Sequence, residues 1–382
     1  MDKKNGTEPV RVLQVISKPQ LGGVETMLMN VYRNIDRDKV QFDFTSHEID
    51  EGGYYNEVLS LGGKVHNIEP IRKIGVLKYI KQIKRLVKEN NYNVVHSHIS
   101  INNSFVLLGA KLGGAKIRVS HAHTTTTEKP NNIVYNMITT AMKCINKMVA
   151  TRYCACGKLA AEFLYGKKCV KSGKVKIINN AIDINKFKKY YGLKNEIKEK
   201  YDISKDVKVI GHIGRFDGPV KNHEFIIKIA ERLKEEKKLQ EFLFVLVGNG
   251  ENLEKYKKIV KEKKLSNNIL FFGTSNNIPE VMQIFDVFIL PSLYEGLPVV
   301  EIEAQAAGVR SIVSNKVTKE IDLGIGLVDF AGIDDENINE WIELLGKPNE
   351  ELDYEKINEA LEKNGYNVQS TVKSFYELYS GE

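Results

Sequence analysis

The sequence is poor in the features that mark several large classes of protein. Its four cysteines, Cys144, Cys154, Cys156 and Cys169, fall in one stretch with no histidine at zinc-finger spacing, so neither a disulfide framework nor a zinc knuckle is expected. Cys154-x-Cys156 lacks the two-residue spacer of a redox pair and reads as structural. No uninterrupted apolar run approaches the ~18 residues that span a bilayer. Met1 to Pro9 (MDKKNGTEP) is polar and lacks the apolar centre of an export signal, which points to a cytoplasmic chain with reduced thiols. There is no G-x-G-x-x-G and no G-x-x-x-x-G-K-[ST], so nicotinamide chemistry and P-loop hydrolysis lose ground. No basic motif is interleaved with aromatic residues, which argues against a nucleic-acid partner.

What is present is the composition of a soluble globular protein, 42% hydrophobic and 27% charged, and 382 residues leave room for two ordinary domains. Charge is distributed unevenly. Residues 1–180 carry 28 basic against 14 acidic side chains, a net of +14, and the remainder 28 against 35, a net of −7. One half therefore attracts anions such as phosphates or acidic lipid headgroups.

The pattern of short β-branched runs separated by amphipathic stretches predicts an α/β fold with parallel sheets. In the first half the strands are expected at Val10–Ser17, Gln41–Ser46, Lys64–Asn67, Val94–Ser97 and Ile117–Ala122. In the second half they are expected at Val207–Gly214, Leu243–Gly248, Ile269–Phe272, Val287–Pro291 and Ser311–Ser314. Two doubly wound units follow, 1–182 and 183–365. Ligands bind beyond the carboxyl ends of such strands, so the loops there hold the candidate chemistry.

The most informative segment is Pro291 to Gly308, PSLYEGLPVVEIEAQAAG. A strand ends, a loop carries Glu295 and Gly296-Leu297, and Pro298 is expected at the first helical position, where its missing N–H does no harm. The free N–H groups of that first turn, around Val299, form an anion site. Glu303 has Val299, Val300, Ala306 and Ala307 at its i±3 and i±4 positions, which places its carboxylate on an apolar, buried stripe. Either a basic residue meets it there, or a ligand such as a ribose diol does.

A second constellation, Gly214-Arg215-Phe216 followed by Lys221-Asn222, puts two cations at a strand end, where they are either a surface pair or a clamp for a diphosphate. Gly248-Asn249-Gly250 and Gly273-Thr274-Ser275 end the next two strands. In the first half, Gly22-Gly23-Val24-Glu25 opens a helix directly after a strand. Two His-x-His pairs, His96/His98 and His121/His123, sit at strand ends with each pair on one face. No Cys or acid cluster completes a ligand set at local spacing, so no metal is expected, and one of these histidines acting on substrate is the better reading.

Taken together, these residues resemble the retaining, nucleotide-sugar-dependent glycosyltransferases of family 4, of GT-B architecture, and most closely the branch that builds bacterial capsular and extracellular polysaccharides. The resemblance rests on GGVE at Gly22, HAH at His121, NNAID at Asn179, the GR…KN pair, VGNGE at Val247 and the E-x7-E spacing from Glu295 to Glu303. It implies two facing Rossmann-like domains with a cleft, a C-terminal helix in 366–382 that crosses back onto the first, a donor that is a nucleotide-sugar carried on UDP, and no metal or other cofactor. Glu303 then binds the donor ribose and Glu295 faces the transferred sugar. Arg215 and Lys221 hold the diphosphate with Gly23 and the N–H groups of Leu297 to Val299. His123, or else His121, lies near the sugar and acceptor. Gly214 and Gly250 approach the donor, Gly273, Thr274 and Ser275 lie near the base, and Asn180 sits at the crossover between domains. Retention implies that the leaving phosphate takes the acceptor's proton on the same face.

The acceptor implied is polyprenyl-linked or a free saccharide. Val76 to Lys88 and Ile133 to Val149 are amphipathic, with lysines beside apolar faces, so each either packs on its sheet or lies on an anionic membrane surface. Two rivals stand beside transfer. A nucleotide-sugar 2-epimerase shares the architecture, and a two-lobed sugar-binding protein would need an export signal.

Overall fold

The computed structural model describes residues 8–17, 19, 22–48, 52–124, 132–349 and 352–380. Residues 1–7, most of the MDKKNGTEP stretch, lie outside them. The chain forms two compact units, one of residues 1–181 with 365–382 and the other of residues 182–364.

In the first unit seven strands make one sheet: β1 (Val10–Val15), β2 (Val40–Ser46), β3 (Val65–Asn67), β4 (Val94–Ser97), β5 (Ile117–Ala122), β6 (Arg152–Ala155) and β7 (Val175–Ile177). Their order is β3-β2-β1-β4-β5-β6-β7, and the pairings between neighbours are parallel. Parallel strands need crossovers, which helices such as Gly23–Asn34, Val76–Glu89 and Asn103–Gly113 supply. With helices on both faces the inner strands are buried throughout, so β2 (VQFDFTS) and β4 (VVHS) read as continuous runs and do not alternate. The order reverses between β1 and β4, which are neighbours in space but far apart in sequence. That is the switch point of the sheet. The last helix, Val368–Tyr379, packs against Gly23–Asn34 and adds Val372, Phe375 and Tyr379 to a core of Val12, Met27, Phe42 and Phe44.

The second unit repeats the scheme with six strands: β8 (Lys208–Ile213), β9 (Phe242–Val247), β10 (Ile269–Gly273), β11 (Val287–Leu290), β12 (Arg310–Ser314) and β13 (Val328–Ala331). The order is β10-β9-β8-β11-β12-β13, again parallel, with the switch point between β8 and β11. Its core joins Phe225, Ile226 and Ile229 of the helix His223–Glu235 to Phe244, Leu246 and Trp341. Both units are Rossmann-like.

Three strands exceed the sequence expectation. β6, β7 and β13 have only three or four residues, and each includes a charged residue (Arg152, Lys176, Asp329), so none shows an apolar run of its own. Neighbouring strands define them through pairing. The two amphipathic stretches of the first unit also separate. The helix Val76–Glu89 packs closely on Asn103–Gly113, where a Cβ on Gly109 would lie 2.8 Å from the Ile80 carbonyl oxygen and one on Gly113 2.8 Å from that of Lys84. Its apolar stripe of Tyr79, Ile83 and Val87 is therefore buried. The helix Ile133–Val149 instead leaves Ile133, Val134, Met137 and Ile138 exposed.

Candidate active site

Four neighbouring strands of the second unit, β10, β9, β8 and β11, end in the four loops singled out in the sequence. Across the switch point the loops after β8 and β11 are tied together. Leu293 N–H donates to Val220 O (2.9 Å) and Asn222 Nδ2 to Pro291 O (3.1 Å). Asn222 holds φ 54°, a left-handed conformation that asparagine tolerates, and from there it starts the helix His223–Glu235.

At this junction Lys221 Nζ meets Glu295 Oε1 at 2.6 Å, and Ser292 Oγ donates to the same oxygen at 3.0 Å. The two charged side chains are only 20% and 16% exposed, so the pair is partly desolvated and stronger than a surface ion pair. One ammonium hydrogen is engaged and two remain for an anion. Beneath them, a Cβ on Gly214 would lie 2.9 Å from His212 Nε2 and 3.0 Å from Lys221 Cγ, so only glycine lets the loop pass this close. His212 donates through Nδ1–H to Ile289 O (2.9 Å), joining β8 to β11. His223 stacks on Phe216 with ring centroids 4.0 Å apart. Burial holds both imidazoles neutral, His223 at about 4 and His212 well below the usual value.

Arg215 occupies the same loop but is not drawn into the Lys221–Glu295 pair. Its side chain is 80% exposed and lies 3.8 Å from Asp217 Oδ2. Asp217 anchors the loop after β9 by accepting from Glu251 N–H (3.0 Å), and Gly250, at φ 156°, passes so close that a Cβ would sit 2.3 Å from Asp217 Oδ1. Gly248 N–H donates to Gly273 O (2.8 Å), and Ser275 Oγ accepts from Asn277 N–H (3.1 Å). Thr274 is exposed.

The helix after β11 runs Val299–Ala306, with Pro298 as its N-cap and not its first helical residue. Leu297 is buried and Gly296 half-buried just before it. The sequence places Glu303 on a buried stripe, and the structure bears this out in part: its carboxyl is deep and Ala306 and Ala307 beside it are buried, but the residue itself is only half-buried. Glu301, Ile302, Ala304, Gln305 and Ala306 face the core, while Val299, Val300 and Glu303 share the half-buried face, because the helix begins at the strand end and turns that side toward the loops. Among the described residues no hydrogen bond or ion pair engages the Glu303 carboxyl, and its depth in the fold pushes it up to about 7. The fully buried acid is Glu301, which accepts weakly from Gln305 Nε2 (3.4 Å) while its Oε2 has no partner among the described residues. Burial raises it to about 8. Its i+4 relation to Gln305 is the one signal in the sequence that could have marked it as a core group.

In the first unit Gly22 caps the helix Gly23–Asn34, and a Cβ there would lie 2.5 Å from Glu25 Oε2, so that carboxylate curls back over the helix start. Asn180 is buried, one residue before Ala181, whose carbonyl accepts from Asn30 Nδ2 (3.0 Å). The two His-x-His pairs, separate in the sequence, come together at the switch point. His96 Nε2 lies 3.1 Å from His121 Nδ1, and His98 Nδ1 lies 2.9 Å from His123 Nε2. Cys154 of β6 reaches within 3.7 Å of His96. His96/His121/Cys154 and His98/His121/His123 are close enough to share a cation, a grouping that local spacing in the sequence conceals.

Both halves match established families. The model for Glycosyltransferase Family 4 covers residues 21–186, and that for Glycosyl transferases group 1 covers residues 194–323. The chain is 36% identical to the putative glycosyltransferase EpsF of Bacillus subtilis, over 97% of this chain and 96% of that one. It is 26% identical to the UDP-Gal:alpha-D-GlcNAc-diphosphoundecaprenol alpha-1,3-galactosyltransferase of Escherichia coli, covering 82% and 81% of the two chains. With the capsular polysaccharide biosynthesis glycosyltransferase CapH of Staphylococcus aureus it shares 27% identity over 80% and 81%. Its fold matches the crystal structure of Anabaena HepE in complex with UDP-glucose at a TM-score of 0.71 and 17% identity, over 96% and 98%. The chain belongs to the family 4 glycosyltransferases of GT-B architecture.

Proposed function

We propose that this glycosyltransferase moves a hexose or N-acetylhexosamine from a UDP-sugar to a lipid-linked or saccharide acceptor, with retention of anomeric configuration, in the assembly of a capsular or extracellular polysaccharide. The observation that carries the proposal is the switch point of the second unit, where Lys221 and Glu295 meet and an unengaged carboxyl, Glu303, stands on the next helix. A diphosphate needs cations and N–H donors, a ribose diol needs an acceptor, and both lie on adjoining loops. The names of the E. coli galactosyltransferase and of the HepE complex support UDP as carrier, and the former supports a diphosphoundecaprenol acceptor.

In this reading Glu303 accepts from the ribose hydroxyls. The two Lys221 ammonium hydrogens unengaged among the described residues and the exposed fork of Arg215 neutralise the charge that builds on the departing phosphate. Glu295, steadied by Lys221 and Ser292, orients the sugar. His123 of the first unit accepts a sugar hydroxyl. The phosphate oxygen takes the acceptor's proton as the new glycosidic bond forms on the face the phosphate leaves. No protein nucleophile and no metal take part. One fixed donor at such a developing charge contributes about 3 kcal/mol, some 100-fold in rate.

The lipid-linked acceptor brings the enzyme to the inner face of the cell membrane. Among the described residues no helix is long and apolar enough to cross a bilayer. Ile133 (79% exposed), Val134, Met137 (68%) and Ile138 form an apolar face on a helix that packs beside Asn103–Gly113, whose other neighbour presents Lys78, Lys81, Lys84, Arg85 and Lys88 outward. That combination suits an anionic lipid surface.

The test is incubation with UDP-glucose, UDP-galactose and UDP-N-acetylglucosamine, each with a short-chain N-acetylglucosaminyl-diphosphoprenol, and NMR of the product. An α-linked disaccharide-lipid is expected. A β-linkage contradicts retention, and epimerised sugar formed without acceptor contradicts transfer.

A further inference from the structure

At the switch point of the first unit, six side chains from β1, the ends of β4 and β5, and the last helix form one unbroken hydrogen-bonded chain. Gln14 Nε2–H donates to the Tyr379 hydroxyl (2.9 Å), and Gln14 Oε1 accepts from His98 Nε2 (2.9 Å). A neutral imidazole that donates through one nitrogen is an acceptor at the other. His98 Nδ1 therefore accepts from His123 Nε2–H at 2.9 Å. On the other side, the Tyr379 oxygen already accepts from Gln14 and gives its single hydrogen to His96 Nδ1 (2.8 Å). His96 Nε2–H then donates to His121 Nδ1 (3.1 Å). The buried phenol hydrogen has no other acceptor among the described residues, and with it committed to His96 the direction of every link follows, leaving all four histidines with their hydrogen on Nε2.

Turning the Gln14 amide over would reverse every donor and give four Nδ1–H rings. A mixture would set N–H against N–H, lone pair against lone pair, or leave the phenol hydrogen without an acceptor in a buried site. A separate contact selects between the two states. Cys154 Sγ lies 3.6 Å from Ser120 O, to which its thiol hydrogen is directed, and 3.7 Å from His96 Nε2. The sulfur faces that nitrogen as an acceptor, which matches an N–H there. Burial holds all four rings neutral, His123 at about 3 and the others well below the usual value, so each carries one ring hydrogen at pH 7.

The geometry points to Gln14 and Tyr379 as positioning residues that lock the four histidines in one shared tautomer, so that His123 offers a bare Nδ1 to a hydroxyl-bearing ligand. His123 Nδ1 is buried without a partner among the described residues, and at the far end of the chain the buried His121 Nε2–H lacks an acceptor among them. In this state His123 can take a hydrogen from a hydroxyl and cannot donate one through Nδ1. Tyr379 sits 365 residues from Gln14 in sequence, so the last helix sets the chemistry of a ring it does not touch. The shared tautomer stands without the transferase proposal; its use on a sugar hydroxyl rests on it.

The test needs no substrate, so its failure is distinct from failure of the transferase reading. The full chain labelled with 15N-histidine is examined at pH 7 by long-range 1H–15N NMR, with signals assigned through single histidine variants. His96, His98, His121 and His123 are each expected to show a protonated Nε2 and a bare Nδ1. A protonated Nδ1 or averaged nitrogens at any of the four overturns the lock. Tyr379→Phe keeps the ring packing and removes the hydroxyl that orients the Gln14 amide. Averaged nitrogen signals are expected to spread to His123, and an unchanged His123 contradicts the positioning role. One equivalent of Zn2+ is expected to leave the His98 and His123 signals in place, whereas their shift together would make the cluster a metal site and overturn the wire.

Discussion

The two switch points occupy the same place in two similar sheets and hold opposite chemistry. In the second unit the junction of β8 and β11 carries charge, with Lys221 against Glu295 and an acid, Glu303, poised near neutrality. In the first unit the junction of β1 and β4 carries none. Its polar groups are neutral rings, an amide and a phenol joined end to end. On the proposed function, the difference matches what each would bind. Charge that develops on a phosphate is met by fixed charge, while sugar hydroxyls, which both donate and accept, are sorted by fixing which partner has the hydrogen.

The largest effect is expected from removing the cation. Lys221→Ala should lower turnover about 100-fold in a coupled assay of UDP release, and Lys221→Arg should recover only part of this, since a planar fork does not replace a point charge. A fall of less than threefold would place the phosphate clamp elsewhere.

Next comes the acid on the helix. The Glu303 carboxyl must be ionised to accept from two hydroxyls, and burial raises it to about 7. UDP-glucose affinity should therefore weaken about tenfold as pH falls from 8 to 6, by the loss of the ionised fraction. Calorimetry on Glu303→Gln should show weaker binding and no such slope. A slope that persists in the variant would assign it to another group.

Glu301 sharpens the comparison from the side of stability. Its folded value of about 8 lies above the unfolded one, so the folded state holds the proton more tightly. Stability is full at pH 4 and is lost as pH rises toward 8 and beyond. Glu301→Gln should remove this loss and stabilise the protein at pH 8 by on the order of 3 kcal/mol relative to its effect at pH 4, read from denaturant midpoints. Equal shifts at both pH values would contradict a neutral, buried Glu301.

The smallest effect is expected at the membrane face. Met137→Asp should reduce flotation with acidic vesicles severalfold at low salt and leave nucleotide binding unchanged. Equal flotation would move the docking face away from Ile133–Val149.

How much of this was legible in the sequence differs between the two sites for one reason. The second-unit site is built from contiguous segments, PSLYEGLPVVEIEAQAAG and Gly214 to Asn222, so spacing singles out Lys221, Glu295 and Glu303 as candidates and the family resemblance assigns their roles. What spacing could not give is their pairing, which needs β8 and β11 side by side, or the face of Glu303, since Val299 and Val300 look like core residues but sit at a helix start beside the loops. The first-unit site is assembled from β1, the ends of β4 and β5, and the last helix. Each His-x-His pair is visible, but no periodicity links Gln14 to Tyr379 or one pair to the other. Alternation of runs and helices predicted both sheets, except where β6, β7 and β13 are too short and too charged to show themselves.

The central claim, that the charged switch point of the second unit is a nucleotide-sugar site, is tested most directly by calorimetric titration with UDP, GDP and ADP on the parent chain, Lys221→Ala and Glu303→Ala. Binding of UDP in preference to the others, weakened in both variants, is the predicted result. Absence of nucleotide binding, or equal binding by all three proteins, would contradict it.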